Sequence, residues 1–114
     1  MNEQQLIEEF QQLIHEIESL DEWNFSNANK LDRLNKKRYA LTDFLMELGL
    51  ETPMSIAYGT DETNRDIAIA LETRPKKKGD IPFYEGKYYQ GIRNLMHEIK
   101  SYVAILEDAL NKKS

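Results

Sequence analysis

Residues 88 to 110 read YYQGIRNLMHEIKSYVAILEDAL, and this stretch decides the fold. Large apolar residues recur at Tyr88, Ile92, Leu95, Ile99, Tyr102 and Leu106 in alternating steps of four and three, with Met96, Val103 and Leu110 one position behind them. Such spacing predicts an amphipathic helix. Two adjacent apolar rows make a face wider than a two-stranded coiled coil needs, so the helix requires more than one neighbour. At 1.5 Å per residue it is roughly 35 Å long, and helices of similar length must lie along it.

The N-terminal segment supplies one of them. Leu6, Phe10, Leu13, Ile17 and Leu20 repeat the same steps, with Ile7 and Ile14 behind, while Glu3, Glu8, Glu9, Glu16 and Glu18 form a polar face without Lys or Arg. Asp21 to Asn27 breaks the period, and Asn24 or Ser26 can cap a following helix by accepting from its free amides. Trp23 and Phe25 are expected to plug the bundle end. Leu31, Leu34, Leu41, Leu45 and Leu48 then mark a second helix, with Phe44 beside the stripe. Gly49 stops it, and Leu50 is placed to fold back on Leu45 as in a Schellman end.

The middle of the chain reads two ways. Thr52 and Pro53 suit the start of a short helix through Tyr58, closed by Gly59, and Thr60 to Arg74 favours a further helix through Ala68, Ala70, Leu71 and Glu72. However, Met54, Ile56 and Tyr58 alternate, as do Ile67, Ile69 and Leu71, so a β-hairpin over about 54 to 71 is the alternative. Pro75 ends that element at or before Arg74. Lys76, Lys77, Lys78, Gly79, Asp80 and Pro82 read as a loop, and Phe83 and Tyr84 lead into the last helix. Gly91 within it costs about 1 kcal/mol relative to Ala and marks either a close helix approach or a late helix start. The expected fold is all-α: a small antiparallel bundle of three long helices, about 3 to 20, 26 to 48 and 86 to 111, plus one or two short ones.

Composition bounds the function. With 114 residues the chain is a single domain, 1 to 114, and its 40% hydrophobic and 31% charged residues place it among folded globular proteins. A net charge of -5 argues against a general nucleic-acid binder. Having no cysteine, the chain has no disulfide, thiolate metal site or cysteine nucleophile. An acidic N-terminus and the lack of a long apolar run suggest a cytoplasmic protein with no membrane partner. Abundant Asn, Lys, Glu and Ile suggests an AT-rich genome, such as a low-GC Gram-positive bacterium or its phages.

Catalytic chemistry finds little support. His15 and His97 both take the outward position of their helices, where a catalytic base would lack a partner to hold and tune it. Helical carboxylate-bridged metal sites use a Glu three residues before His, whereas Gln12 precedes His15 and Asn94 precedes His97. Glu18 with Asp21 and Asp43 with Glu47 have one-turn spacing that could hold Mg²⁺ in a nucleotide hydrolase, but such pairs are common among 20 acidic residues. Neither a Gly-rich phosphate loop nor a nucleophile elbow is present. No enzyme activity, cofactor or metal is expected.

Two basic clusters remain. Lys30, Arg33, Lys36, Lys37 and Arg38 lie on the second helix; in an antiparallel hairpin closing near Trp23, Glu8 and Glu9 face Lys37 and Arg38, so this cluster is expected to be used internally. Arg74, Lys76, Lys77, Lys78, Lys87 and Arg93 have fewer acids nearby and are flanked by Phe83, Tyr84, Tyr88 and Tyr89. Tyr84, Lys87 and Arg93, with Arg74 and the lysine loop, are the expected contact surface for another protein, one with an acidic surface. Nucleic acid is the second reading, since bases stack on aromatics beside cations. The layout is similar to that of small helical bacteriocin immunity proteins and phage accessory proteins, a likeness that implies an accessory or inhibitory role. No motif assigns residues from it, and self-association is left open.

Overall fold

The steps of four and three close into four α-helices in a computed structural model, which describes residues 1–52, 54–72 and 76–113, with the backbone alone for 54–58. The helices are α1 (Glu3–Glu18), α2 (Phe25–Glu47), α3 (Met54–Ala70) and α4 (Ile81–Lys113). Each antiparallel neighbour is fixed by named pairs: Lys37 with Glu9 joins α2 to α1, Asn35 with Asn64 joins α2 to α3, and Thr63 with Glu98 joins α3 to α4. Tyr88 reaching Leu20 closes the ring from α4 to α1. The result is an up-down-up-down bundle about 56 Å long. No strand occurs among the described residues, so the hairpin alternative is not supported.

Local chemistry sets the ends. Asn2 and Gln5 form a reciprocal capping box at α1, and the Asn24 side chain accepts from Asn27 N–H at 2.8 Å at α2. Helix α2 stops as the sequence predicts. Gly49 takes φ 74°, its N–H donates to Met46 at 3.0 Å, and Leu50 N–H donates to Leu45 at 3.1 Å, which is the Schellman pattern. Gly49→Ala should therefore destabilise by about 1 kcal/mol in urea unfolding, because only glycine adopts that φ without a Cβ clash.

Two boundaries differ from expectation. Gly59 does not end a short helix; α3 runs through it as one element. A glycine permits a left-handed stop without imposing one, and here a Cβ would lie at ordinary contact distance, 3.4 Å, from Glu98 Oε1 on α4. The last helix begins at Ile81 rather than about 86, after a 3-10 turn at Lys78–Asp80. Pro82 thus falls in the first turn of α4, where its missing N–H has no intrahelical role.

The core follows the stripes. Leu6, Phe10, Leu13, Ile17 and Leu20 of the N-terminal segment meet Tyr88, Leu95, Ile99, Tyr102 and Leu106 of α4, and Ile92, Met96, Val103 and Leu110 are half-buried around them. Phe10 and Tyr102 rings lie 5.3 Å apart at the centre. Gly91 is a close-approach position: a Cβ there would stand 3.2 Å from Ile67 Cγ1 of α3. Glu3 does not belong to the solvent face; it is buried against Lys113, whose ammonium lowers its pKa through a direct hydrogen bond.

Candidate functional site

One end of the bundle gathers the aromatics. Here the α1–α2 connection meets the end of α3 and the start of α4. Tyr88 Oη donates to Leu20 O at 3.0 Å, Tyr89 Oη to Asp21 O at 3.2 Å, and Trp23 Nε1 to Ala70 O at 3.2 Å. Burial, with Tyr89 and Asp21 nearby, pushes the Tyr88 phenol up to about 12, so it remains a donor throughout the neutral range. Trp23 stacks on Tyr84 with centroids 6.3 Å apart and planes 9° from parallel, and Phe83 meets Tyr84 edge-on at 5.4 Å. Trp23 plugs the end as expected. Phe25 does not: it is 60% exposed, as Phe83 is 55% exposed.

Cations sit on these rings. Lys76 Nζ is 4.7 Å from the Tyr84 centroid and 5.8 Å from that of Trp23, and it also donates to Glu72 O. Lys87 Nζ is 5.6 Å from the Phe83 centroid and 3.6 Å from Asp66 Oδ1. Beside them lies an open pocket of about 480 Å³ lined by Trp23, Asn24, Phe25, Ala70, Glu72 and Lys76. Such a surface offers apolar area with positive charge beside it, suited to binding rather than to bond making.

The seven residues expected to form one contact surface do not all share it. Lys76, Tyr84 and Lys87 adjoin the stacked rings, and Lys77 and Lys78 are exposed just before α4. Arg93 is exposed, but at about 100° per residue its nine-residue separation from Tyr84 puts it on the opposite side of α4. Arg74 lies outside the described residues. The charge is also mixed, since Asp21, Glu22, Asp80 and Glu85 stand exposed in the same segments.

A second polar site was not foreseen. Arg38 is not a surface partner of Glu8 or Glu9; it is 1% exposed, on the inward face of α2, and only Lys37 pairs with Glu9, at 3.7 Å. The Arg38 guanidinium lies 3.7 Å from Glu98 Oε2 on α4 and donates from Nη2 to Asn35 Oδ1 at 2.7 Å. Glu98, 3% exposed, accepts from Thr63 at 3.0 Å and Thr60 at 3.1 Å, both on α3. Asn35 donates to Asn64 at 2.8 Å, and Asn64 continues to Tyr39 Oη. Burial raises the Glu98 pKa, and Arg38 and the two threonine hydroxyls offset only part of that. The signal for Arg38 was a gap in a stripe, since it occupies the seam position between Leu34 and Leu41, whereas Glu98 stands beside the stripe, one residue before Ile99, and leaves no gap in it. Arg38, Thr60 and Tyr102 form part of the lining of a groove of about 800 Å³ that α2 and the residues just after it share with α3 and α4.

His15 and His97 are exposed, as are Glu18, Asp21, Asp43 and Glu47. Among the described residues no three His, Cys, Asp or Glu side chains gather as a metal site would need, and no helix is long and apolar enough to cross a membrane. Replacing both histidines with alanine should change unfolding free energy by no more than about 0.5 kcal/mol. A larger loss would place a histidine in a contact that its exposure denies.

The fold and sites define a class: an antiparallel four-helix bundle with a buried ion pair at mid-height and an aromatic, lysine-bearing end. No protein family model, curated protein or solved structure matches the chain.

Proposed function

We propose that the protein is a non-enzymatic interaction factor, an accessory or inhibitory protein that binds a partner protein through the aromatic end of the bundle. The observation that carries this reading is the exposure of Phe25 and Phe83 on either side of the Trp23–Tyr84 stack, next to a pocket of about 480 Å³. Large apolar side chains exposed at a surface, with cations at their rim, are the composition of interface hot spots. The partner it fits presents apolar side chains ringed by carboxylates, which would meet Lys77 and Lys78. Arg93 has no part in this surface.

A photo-crosslinking residue in place of Phe83, used in the native host, captures the partner, whose affinity is then measured with purified proteins. The variant Phe25→Ser, Phe83→Ser, Lys77→Glu alters only exposed residues, so it should keep its helical circular dichroism and bind at least tenfold more weakly, about 1.4 kcal/mol. Unchanged affinity would overturn the assignment of the surface. Tight binding to DNA or RNA that falls steeply with salt would replace a protein partner with a nucleic acid.

A further inference from the structure

The seam between α1 and α2 is open on its outer side, and its two walls carry opposite charge. At about 100° per residue, Gln5, Glu8, Glu9, Gln12 and Glu16 fall on the flank of α1 that faces this opening, and α1 has no Lys or Arg anywhere. The facing flank of α2 carries Lys30, Arg33 and Lys37, and then Phe44. Near one end of the seam lies an open hollow of about 310 Å³ lined by Glu16, Ser19, Leu20, Lys30, Arg33 and Leu34. Near the other lies a hollow of about 420 Å³ lined by Met1, Gln5, Glu8, Glu9 and Phe44. Among the described residues the one ion pair across the seam is Lys37 with Glu9, at 3.7 Å; Glu16 shares the first hollow with Lys30 and Arg33 but pairs with neither. Charges held apart in this way stay available to a second surface.

We infer that this face binds a second copy of the chain about a two-fold axis lying along the seam. Such an axis keeps each residue at its own level along the bundle and exchanges the two walls, so the acidic flank of each α1 lies on the basic flank of the other copy's α2. Glu16 of one copy comes level with Lys30 and Arg33 of the other, and Glu9 with Lys37, and the symmetry makes each contact twice. Met1, 47% exposed, comes over the half-buried Phe44 and covers apolar surface that the single chain leaves open. An axis across the seam would set acid on acid and base on base, so the charge pattern selects the first arrangement. A foreign partner would have to carry an acidic and a basic row at the same spacing, whereas this chain already has both. The strip is two helices wide and as long as α1, roughly 24 Å, which puts it at the small end of specific interfaces, so the dimer dissociates on dilution. It uses none of the residues of the aromatic end and does not depend on what that end binds.

Sedimentation equilibrium over a concentration series tests it with two charge-reversal variants, Gln12→Lys with Glu16→Lys and Lys30→Glu with Arg33→Glu, both of which leave the Lys37–Glu9 pair in place. The wild type should dimerise in low salt, with a dissociation constant at least about tenfold higher in about 0.5 M salt. Each variant alone sets like charges on both contacts and should raise the dissociation constant at least about tenfold. Mixed in equal amounts, the two variants set opposite charges on both contacts and should associate again. The Phe25→Ser, Phe83→Ser, Lys77→Glu variant should dimerise as the wild type does. If a double variant loses its helical circular dichroism, the single changes Glu16→Lys and Arg33→Glu carry the same mixing test with a smaller factor. A wild type still monomeric at about 1 mM in low salt, a dimer indifferent to both reversals, or variants that stay apart when mixed would each overturn the inference.

Discussion

Glu98→Ala should destabilise the protein by about 3 to 5 kcal/mol at neutral pH, because it leaves a guanidinium buried without its carboxylate. Arg38 cannot shed its proton, and at 1% exposure it is largely desolvated. Among the described residues its Nε has no hydrogen-bond partner, so losing Glu98 would leave the guanidinium with still fewer. Thr60 and Thr63 would lose an acceptor as well. Combining Arg38→Met with Glu98→Leu removes both charges and should recover most of the loss, since apolar replacement of a buried pair is often neutral or stabilising. Urea unfolding of both variants checks this. A cost below about 1 kcal/mol for Glu98→Ala would mean that water reaches the pair, as it does for surface ion pairs.

The same carboxyl gives a pH dependence. Burial raises the Glu98 pKa above its ordinary value of 4.5, so the folded protein keeps this proton to higher pH than the unfolded chain does. The stabilisation linked to that proton is complete below the unfolded value and is lost as pH rises through the folded one. Glu98→Gln, which cannot titrate, should show a flatter stability profile on the alkaline side of 4.5 than the wild type. A profile unchanged by the substitution would mean that Glu98 titrates as it does in the unfolded chain.

Leu95→Ala and Ile99→Ala should each cost about 2 to 5 kcal/mol, a large part of what a small domain has. Both side chains are fully buried on α4, the helix that touches all three others, so the space left by truncation is walled by packed helices that cannot collapse into it freely. Calorimetry or urea unfolding measures the loss. A mild effect at both positions would require the core to lie off the Tyr88–Leu106 stripe.

Much of this architecture was legible in the sequence, because helix periodicity is a property of one segment at a time. The repeated steps at Leu6 to Leu20 and at Tyr88 to Leu106 fix which face of each helix is apolar, and an apolar face in water must be covered. Asn24 and Gly49 mark helix ends through their own backbone chemistry, and the antiparallel pairing of α1 with α2 followed from the Lys37–Glu9 register. Other features depend on what stands opposite. Arg38 reads as one more surface cation until α4 brings Glu98 against it and α3 brings Thr60 beside it, residues 60 and 22 positions away. Gly59 reads as a stop, yet α3 runs through it as one helix, Met54–Ala70. Phe25 reads as core, yet the backbone enters α2 with that side chain turned to water. Periodicity gives each helix its apolar face, but only the assembled bundle decides which residues across an interface meet, because burial turns a charge or a missing side chain from a neutral surface feature into one that its neighbours must satisfy.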